Sequence, residues 1–189
     1  MKFNIQVISH PLIQYLSNTS TNSSMAFNIR NQATRYLGLF ILYETLRKWI
    51  TVYQLTIKQI KLKKRISLLN PKESYLIIFN NLNYLNMFQE IQLLLPKVNL
   101  QLAQYKNISI MNIDSIKCSN TLNEKIVIVN EELDTDYVKD LINSLVNKKG
   151  IKINQIYLTC IKCTTNQLVQ LGENKRYKDL HVYTTQIIE

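Results

Sequence analysis

Residues 125–160 read KIVIVNEELDTDYVKDLINSLVNKKGIKINQIYLTC, and this stretch decides the fold. Ile126 to Val129 is a short β-branched run of the kind that fills a parallel strand buried on both faces. From Asp136 to Lys149, the spacing of Val138, Leu141, Ile142, Leu145 and Val146 puts the apolar residues on one helical face. Gly150 is the expected stop for that helix, and Ile151 to Cys160 supplies the next strand. The result is a βαβ unit, which predicts a right-handed crossover between parallel strands.

Working outward, a short helix over Asn166 to Leu171 and a strand over His181 to Thr185 follow the unit. Ahead of it, Tyr75 to Phe79 reads as a strand, Tyr84 to Leu95 as a helix and Lys97 to Gln104 as a strand. Phe3 to Ile8 is a strand that ends before His10-Pro11, since proline disfavours helix at the residue before it. Ser17 to Ser24 (SNTSTNSS) is a loop by composition. Ile29 to Ile50 is a long N-terminal helix, with Ile29, Ala33, Tyr36, Leu37, Phe40, Ile41, Tyr43 and Leu46 at helical spacing. Thr51 to Leu69 is strand-like and closes at Asn70-Pro71. The chain is therefore α/β, a mostly parallel sheet flanked by helices with an N-terminal helix and a strand hairpin. No repeat or linker divides it, so residues 1–189 are expected to form one domain.

Composition narrows the function classes. With 189 residues and 46% hydrophobic residues, the chain can bury a core without disulfides or metal. No apolar run reaches the ~18 residues of a membrane span, and the N-terminus lacks a secretory core, so neither membrane insertion nor export is expected. Three cysteines argue against a disulfide framework. Asn, Ile, Lys, Leu and Tyr are abundant while glycine is scarce, the bias of an AT-rich genome, which suggests a plastid protein or else a bacterial cytoplasmic one.

The net charge of +10 allows contact with nucleic acid, because clustered cations release counterions at phosphates. Its densest run is Lys58, Lys61, Lys63, Lys64 and Arg65, where apolar residues alternate with charges and a solvated basic face is the plainer reading. RNA binding stays open on this run, although no zinc-finger spacing accompanies it.

The chemistry-bearing positions are few. In a parallel α/β sheet, ligands bind beyond the carboxyl ends of the strands, and a helix N-terminus there can hold phosphate on free backbone N–H groups. The loop after Ile126–Val129 is Asn130-Glu131-Glu132-Leu133-Asp134-Thr135-Asp136-Tyr137. Thr135 and Asp136 also read as ordinary helix capping. Cys160 and Cys163 form a C-x-x-C, but Cys160 reads as a strand end rather than a helix start, so redox chemistry is not favoured. A zinc site joining them to Cys118 and His181 matches no common spacing. His10 reads as a turn or surface residue, and Trp49 and the tyrosines as core or edge residues.

The chain resembles the uracil phosphoribosyltransferase family through small matches spread over its length. His10-Pro11-Leu12-Ile13-Gln14 is similar to an N-terminal His-Pro-Leu signature, and Tyr43-Glu44 followed by Arg47 is similar to a Tyr-Glu-Ala-Thr-Arg segment. Leu95-Pro96, the Ile126–Val129 strand with its helix, Lys149-Gly150-Ile151-Lys152, Ile156 to Cys160 and Val182-Tyr183-Thr184 follow in the family's order. The resemblance implies a phosphoribosyltransferase-like fold, an activity that makes UMP from uracil and phosphoribosyl pyrophosphate with magnesium, and a homodimer or larger assembly.

The family's phosphate loop resembles a strand followed by Asp, Asp or Pro, two variable residues, Ala-Thr-Gly and another small residue. On that pattern Asn130 replaces the first acid, Glu131 follows it, Asp134 replaces Ala, Thr135 is kept, and Asp136 and Tyr137 stand where glycine and a small residue belong. Close backbone approach to phosphate needs glycine. Carboxylates set against a phosphate cost ~4 kcal/mol at 4 Å and surface-like dielectric. Leu82 occupies the position of the family's pyrophosphate arginine, and the chain ends at Gln186-Ile187-Ile188-Glu189 where the family continues into a uracil-binding segment. The expectation is a homologue without catalytic residues, with no cofactor or metal, weakened phosphoribosyl pyrophosphate binding, and a retained binding or assembly role. The alternatives are an active enzyme, in which magnesium would take part, and a basic RNA-binding protein.

Overall fold

The computed structural model describes residues 4–59, 62–88, 91–95, 97–106, 109–110, 116–117 and 124–189. In chain order they form β1 (Asn4–Val7), α1 (Pro11–Thr21), α2 (Phe27–Leu46), β2 (Val52–Gln59), β3 (Leu62–Leu69), β4 (Ser74–Phe79), α3 (Leu85–Phe88), α4 (Ile91–Leu94), β5 (Val98–Leu102), β6 (Tyr105–Lys106), β7 (Ser109–Ile110), β8 (Glu124–Glu132), α5 (Thr135–Lys149), β9 (Ile156–Thr164), α6 (Thr165–Gly172) and β10 (His181–Ile188). Six strands make one sheet in the order β1-β10-β9-β8-β4-β5, with every neighbouring pair parallel. The unit β8–α5–β9 lies at its centre, as its sequence pattern predicts.

Strand alternation distributes the core between two layers. Ile126 and Ile128 of β8 join Val138, Leu141, Ile142 and Leu145 of α5 on one face. Val127 and Val129 join Leu37, Ile41, Leu42 and Leu46 of α2 on the other. All of these side chains are buried, which is why β8 reads as a continuous apolar run rather than an alternating one.

Two glycines have geometric reasons. Gly150 caps α5 at φ 69° and donates its N–H toward the last helical carbonyls, a conformation that costs a residue with a Cβ. At Gly38 a Cβ would fall 2.6 Å from the carbonyl oxygen of Met87, so only glycine lets α2 approach α3 this closely.

The sequence pattern places a loop at Ser17 to Ser24, whereas α1 continues to Thr21. Pro11 stands at the first turn, where its missing N–H is not needed, and His10 caps that turn by accepting from the Leu12 N–H at 3.2 Å. The hydroxyls of Thr19, Ser20 and Thr21 then turn back onto carbonyls three or four residues earlier and leave the helix intact. Polar composition is thus absorbed by side-chain bonding inside a helix.

The basic alternating stretch forms the antiparallel pair β2–β3, with Val52 opposite Leu69 and Gln59 opposite Leu62. Its Lys58, Lys63, Lys64 and Arg65 are exposed, as the alternation predicts; Lys61 lies outside the described residues. Strand β9 runs on to Thr164, so Cys160 and Cys163 both sit inside it rather than at its end. Both are free and buried. Donating a hydrogen bond to Cys163, together with burial, pushes the Cys160 thiol up. Cys118 lies outside the described residues.

Candidate functional site

The carboxyl end of β8 and the start of α5 form the site. Its first residue, Asn130, pairs with Cys160 across the ladder. It is 1% exposed, and among the described residues neither its amide oxygen nor its amide nitrogen has a hydrogen-bond partner. Glu131 faces the opposite side of the sheet and accepts a hydrogen bond from the Tyr84 hydroxyl. Leu133 is buried and ties the loop to β9 through its N–H to the Lys162 carbonyl at 3.1 Å.

Asp134 is the N-cap of α5. One carboxylate oxygen accepts the N–H groups of Asp136 and Tyr137, each at 3.1 Å. Those are two of the donors that a helix N-terminus would offer to a bound anion. The chain's own carboxylate therefore takes up the positive end of the helix dipole. The Thr135 hydroxyl turns away from the loop and donates to Gln170 at 3.2 Å.

Tyr137 goes inward. It is 1% exposed and donates its hydroxyl to the Ala103 carbonyl at 2.8 Å, joining the first turn of α5 to the end of β5. Burial, with the nearby Asp134 carboxylate, pushes its phenol well above the ordinary range, so it stays a neutral donor. Asp136 stays exposed at the helix surface. The structure thus brings Asn130, Asp134, Thr135 and Tyr137 together at one strand end, with Glu131 on the far face.

Leu82 is exposed at the start of a 3-10 turn over Leu82–Tyr84, and it supplies no charge to the site. On the α2 side of the sheet the same strand ends open into a cavity of about 310 Å³ lined by Arg30, Asn31, Tyr84, Met87, Glu131 and Ile161, among others. The Arg30 Nε is buried there, with no partner among the described residues. Sequence reasoning missed Arg30 and Tyr84. No local motif marks them, because the turn after β4 and the first turn of α2 meet only when the sheet is assembled.

The donor set does not suit a divalent metal. Such ions want several oxygen ligands, usually carboxylates. Asn130 is a neutral amide, the Asp134 carboxylate is engaged by backbone N–H groups, and no group of three His, Cys, Asp or Glu converges among the described residues.

Known proteins agree with this reading of the fold. A uracil phosphoribosyltransferase homolog from Porphyra purpurea is 30% identical over 187 residues, covering 99% of this chain and 89% of the relative. One from Pyropia yezoensis is 31% identical over the same share of both. Among solved structures, the AQ2163 protein from Aquifex aeolicus superposes with a TM-score of 0.74 at 17% identity, covering 97% of this chain and 86% of that one. No family model matches the chain. Identity at this level over nearly the whole length, on a parallel sheet with the βαβ unit at its centre, makes the chain a member of the uracil phosphoribosyltransferase family.

Proposed function

We propose that this protein is a uracil phosphoribosyltransferase homologue that does not turn over substrate and keeps its fold for a role in assembly. The observation that carries the reading is the α5 N-terminus, where Asp134 accepts the N–H groups a sugar phosphate would need and Tyr137 fills the space beneath. Bringing a phosphate to this point sets it against a carboxylate, which costs ~4 kcal/mol at 4 Å and surface-like dielectric. Leu82 offers no compensating charge.

The assembly role rests on the hairpin. Its register places Tyr53, Leu55, Ile57, Leu62, Ile66 and Leu68 on one face with Lys64, and Tyr53, Leu55 and Leu62 remain half exposed or more. A two-stranded ribbon with an uncovered apolar face is marginal alone. A second copy of this chain is the occupant, because α2 presents a complementary exposed stripe of Ile29, Tyr36 and Tyr43. The AT-rich composition and the two algal relatives support a plastid location.

Calorimetric titration of the purified protein with phosphoribosyl pyrophosphate and magnesium, together with an assay for UMP formation from uracil, tests the reading. Absence of both from a folded protein supports it. Micromolar binding or UMP formation would establish the active-enzyme reading instead, in favour of which stands the buried amide of Asn130, without a hydrogen-bond partner among the described residues.

A further inference from the structure

The hairpin has a second asymmetry, in charge. On the face opposite its apolar side, Lys58 stands directly across from Lys63, Thr56 across from Arg65, Gln54 across from Ser67 and, at the base of the ribbon, Val52 across from Leu69. All of these residues are exposed. Like charges directly opposite one another destabilise a ribbon. No acidic residue occurs between Glu44 and Glu73 to offset them. The ion pairs Glu44–Arg47 and Glu73–Lys125 do not reach the hairpin. A lysine-rich composition sets how many cations the chain has; it does not gather Lys58, Lys63 and Arg65 on one face with the polar residues, while Lys64 stands on the other face, opposite Ile57.

From this arrangement we infer that the polar face of β2–β3 is a docking surface for single-stranded RNA. Clustered cations bind phosphodiesters by releasing condensed counterions. The same face carries the amide of Gln54 and the hydroxyls of Thr56 and Ser67, which accept hydrogen bonds as well as donate them. Phosphates and carboxylates only accept, so these acceptors find partners in base edges and in the 2′-hydroxyl, the group that distinguishes RNA from DNA. Exposed cations along an extended ribbon also suit a flexible strand that can follow them. The surface is independent of the phosphate loop, so it stands whether or not the protein binds phosphoribosyl pyrophosphate. It also leaves the apolar face free for a second copy.

The test is fluorescence anisotropy of the full chain with a short labelled uridine-rich RNA, titrated at salt concentrations between about 50 and about 200 mM. The variant Lys58→Gln/Lys63→Gln/Arg65→Gln is expected to flatten the slope of log K against log salt by about 2, at ~0.7 for each phosphate left without a cation. Its affinity at the lowest salt should drop by more than tenfold. The charge-preserving Lys58→Arg/Lys63→Arg is expected to bind as the parent does, with circular dichroism confirming that both variants fold. A control that removes the same charge elsewhere, Lys152→Gln/Lys175→Gln/Lys178→Gln, is expected to retain most of the affinity. The inference is overturned if the hairpin variant binds as well as the parent or if the control loses as much. DNA of the same sequence or polyglutamate displacing the RNA equally well would also overturn it.

Discussion

Tyr137 shows how one side chain can close a site. A small residue at the first turn of α5 would leave room beneath the loop, whereas the phenol fills it and bonds to Ala103. Tyr137→Phe keeps the volume and removes that buried bond, and should cost about 1 kcal/mol in urea unfolding. Asp134→Ala removes the cap and should also cost about 1 kcal/mol. Combining Asp134→Gly with Tyr137→Ala frees both N–H groups and the space below them. Inorganic phosphate should then bind measurably by calorimetry where the parent shows none, and a folded double variant that stays silent would mean the seat is closed by something else. That α5 starts on a cap is legible in the sequence, because an acidic residue before an amphipathic run is a local signal, but the pattern reads the cap at Thr135 and Asp136 and the structure puts it at Asp134. The Tyr137–Ala103 bond is not, since it joins residues 34 apart in the chain.

At the scale of elements, close approach and buried charge set the tolerances. Gly38→Ala pushes a methyl group against the Met87 backbone, and overpacking of this kind should cost about 1–3 kcal/mol by thermal or urea unfolding. The junction of β3, β4 and β8 is held by Glu73, which pairs with Lys125 at 2.9 Å and accepts from the hydroxyls of Tyr75 at 2.6 Å and Thr51 at 2.9 Å. Burial raises the Glu73 carboxyl, but these hydrogen bonds outweigh it and hold the carboxyl below its ordinary value. The folded carboxylate therefore binds its proton less readily than the unfolded one. Its stabilisation is present above the unfolded value of 4.5 and is lost as pH falls through the folded value. His181 acts in the same direction at higher pH. Burial, with Lys48 nearby, lowers it from 6.5, so stability declines as pH falls below that value. Unfolding free energies measured from pH 7 downward should show two steps, and Glu73→Gln should remove the lower one. The central βαβ unit and the hairpin are legible from periodicity, while α1 is not, because serine and threonine favour loops unless their hydroxyls find carbonyls within the same helix.

For the whole molecule, the exposed apolar face of β2–β3 and the outward stripe of α2 predict a dimer. Sedimentation velocity should give twice the chain mass for the parent, and Leu55→Lys/Leu68→Lys should shift it toward the monomer. A parent that sediments as a monomer at micromolar concentration would remove the assembly role. Among the described residues no helix is long and apolar enough to cross a membrane, as the short apolar runs predict. The sequence by itself determined the α/β class, the parallel core around Ile126–Val129, the basic ribbon and the family resemblance, because each rests on periodicity or on order along the chain. Tertiary structure alone decided that the helix N–H donors are taken by Asp134 while Tyr137 reaches β5, that Asn130 is buried without a partner among the described residues, and that Arg30 and Tyr84 share a cavity with Glu131. The reason is physical: periodicity records which face of an element is buried, whereas which donors remain free depends on neighbours that only the folded sheet brings together.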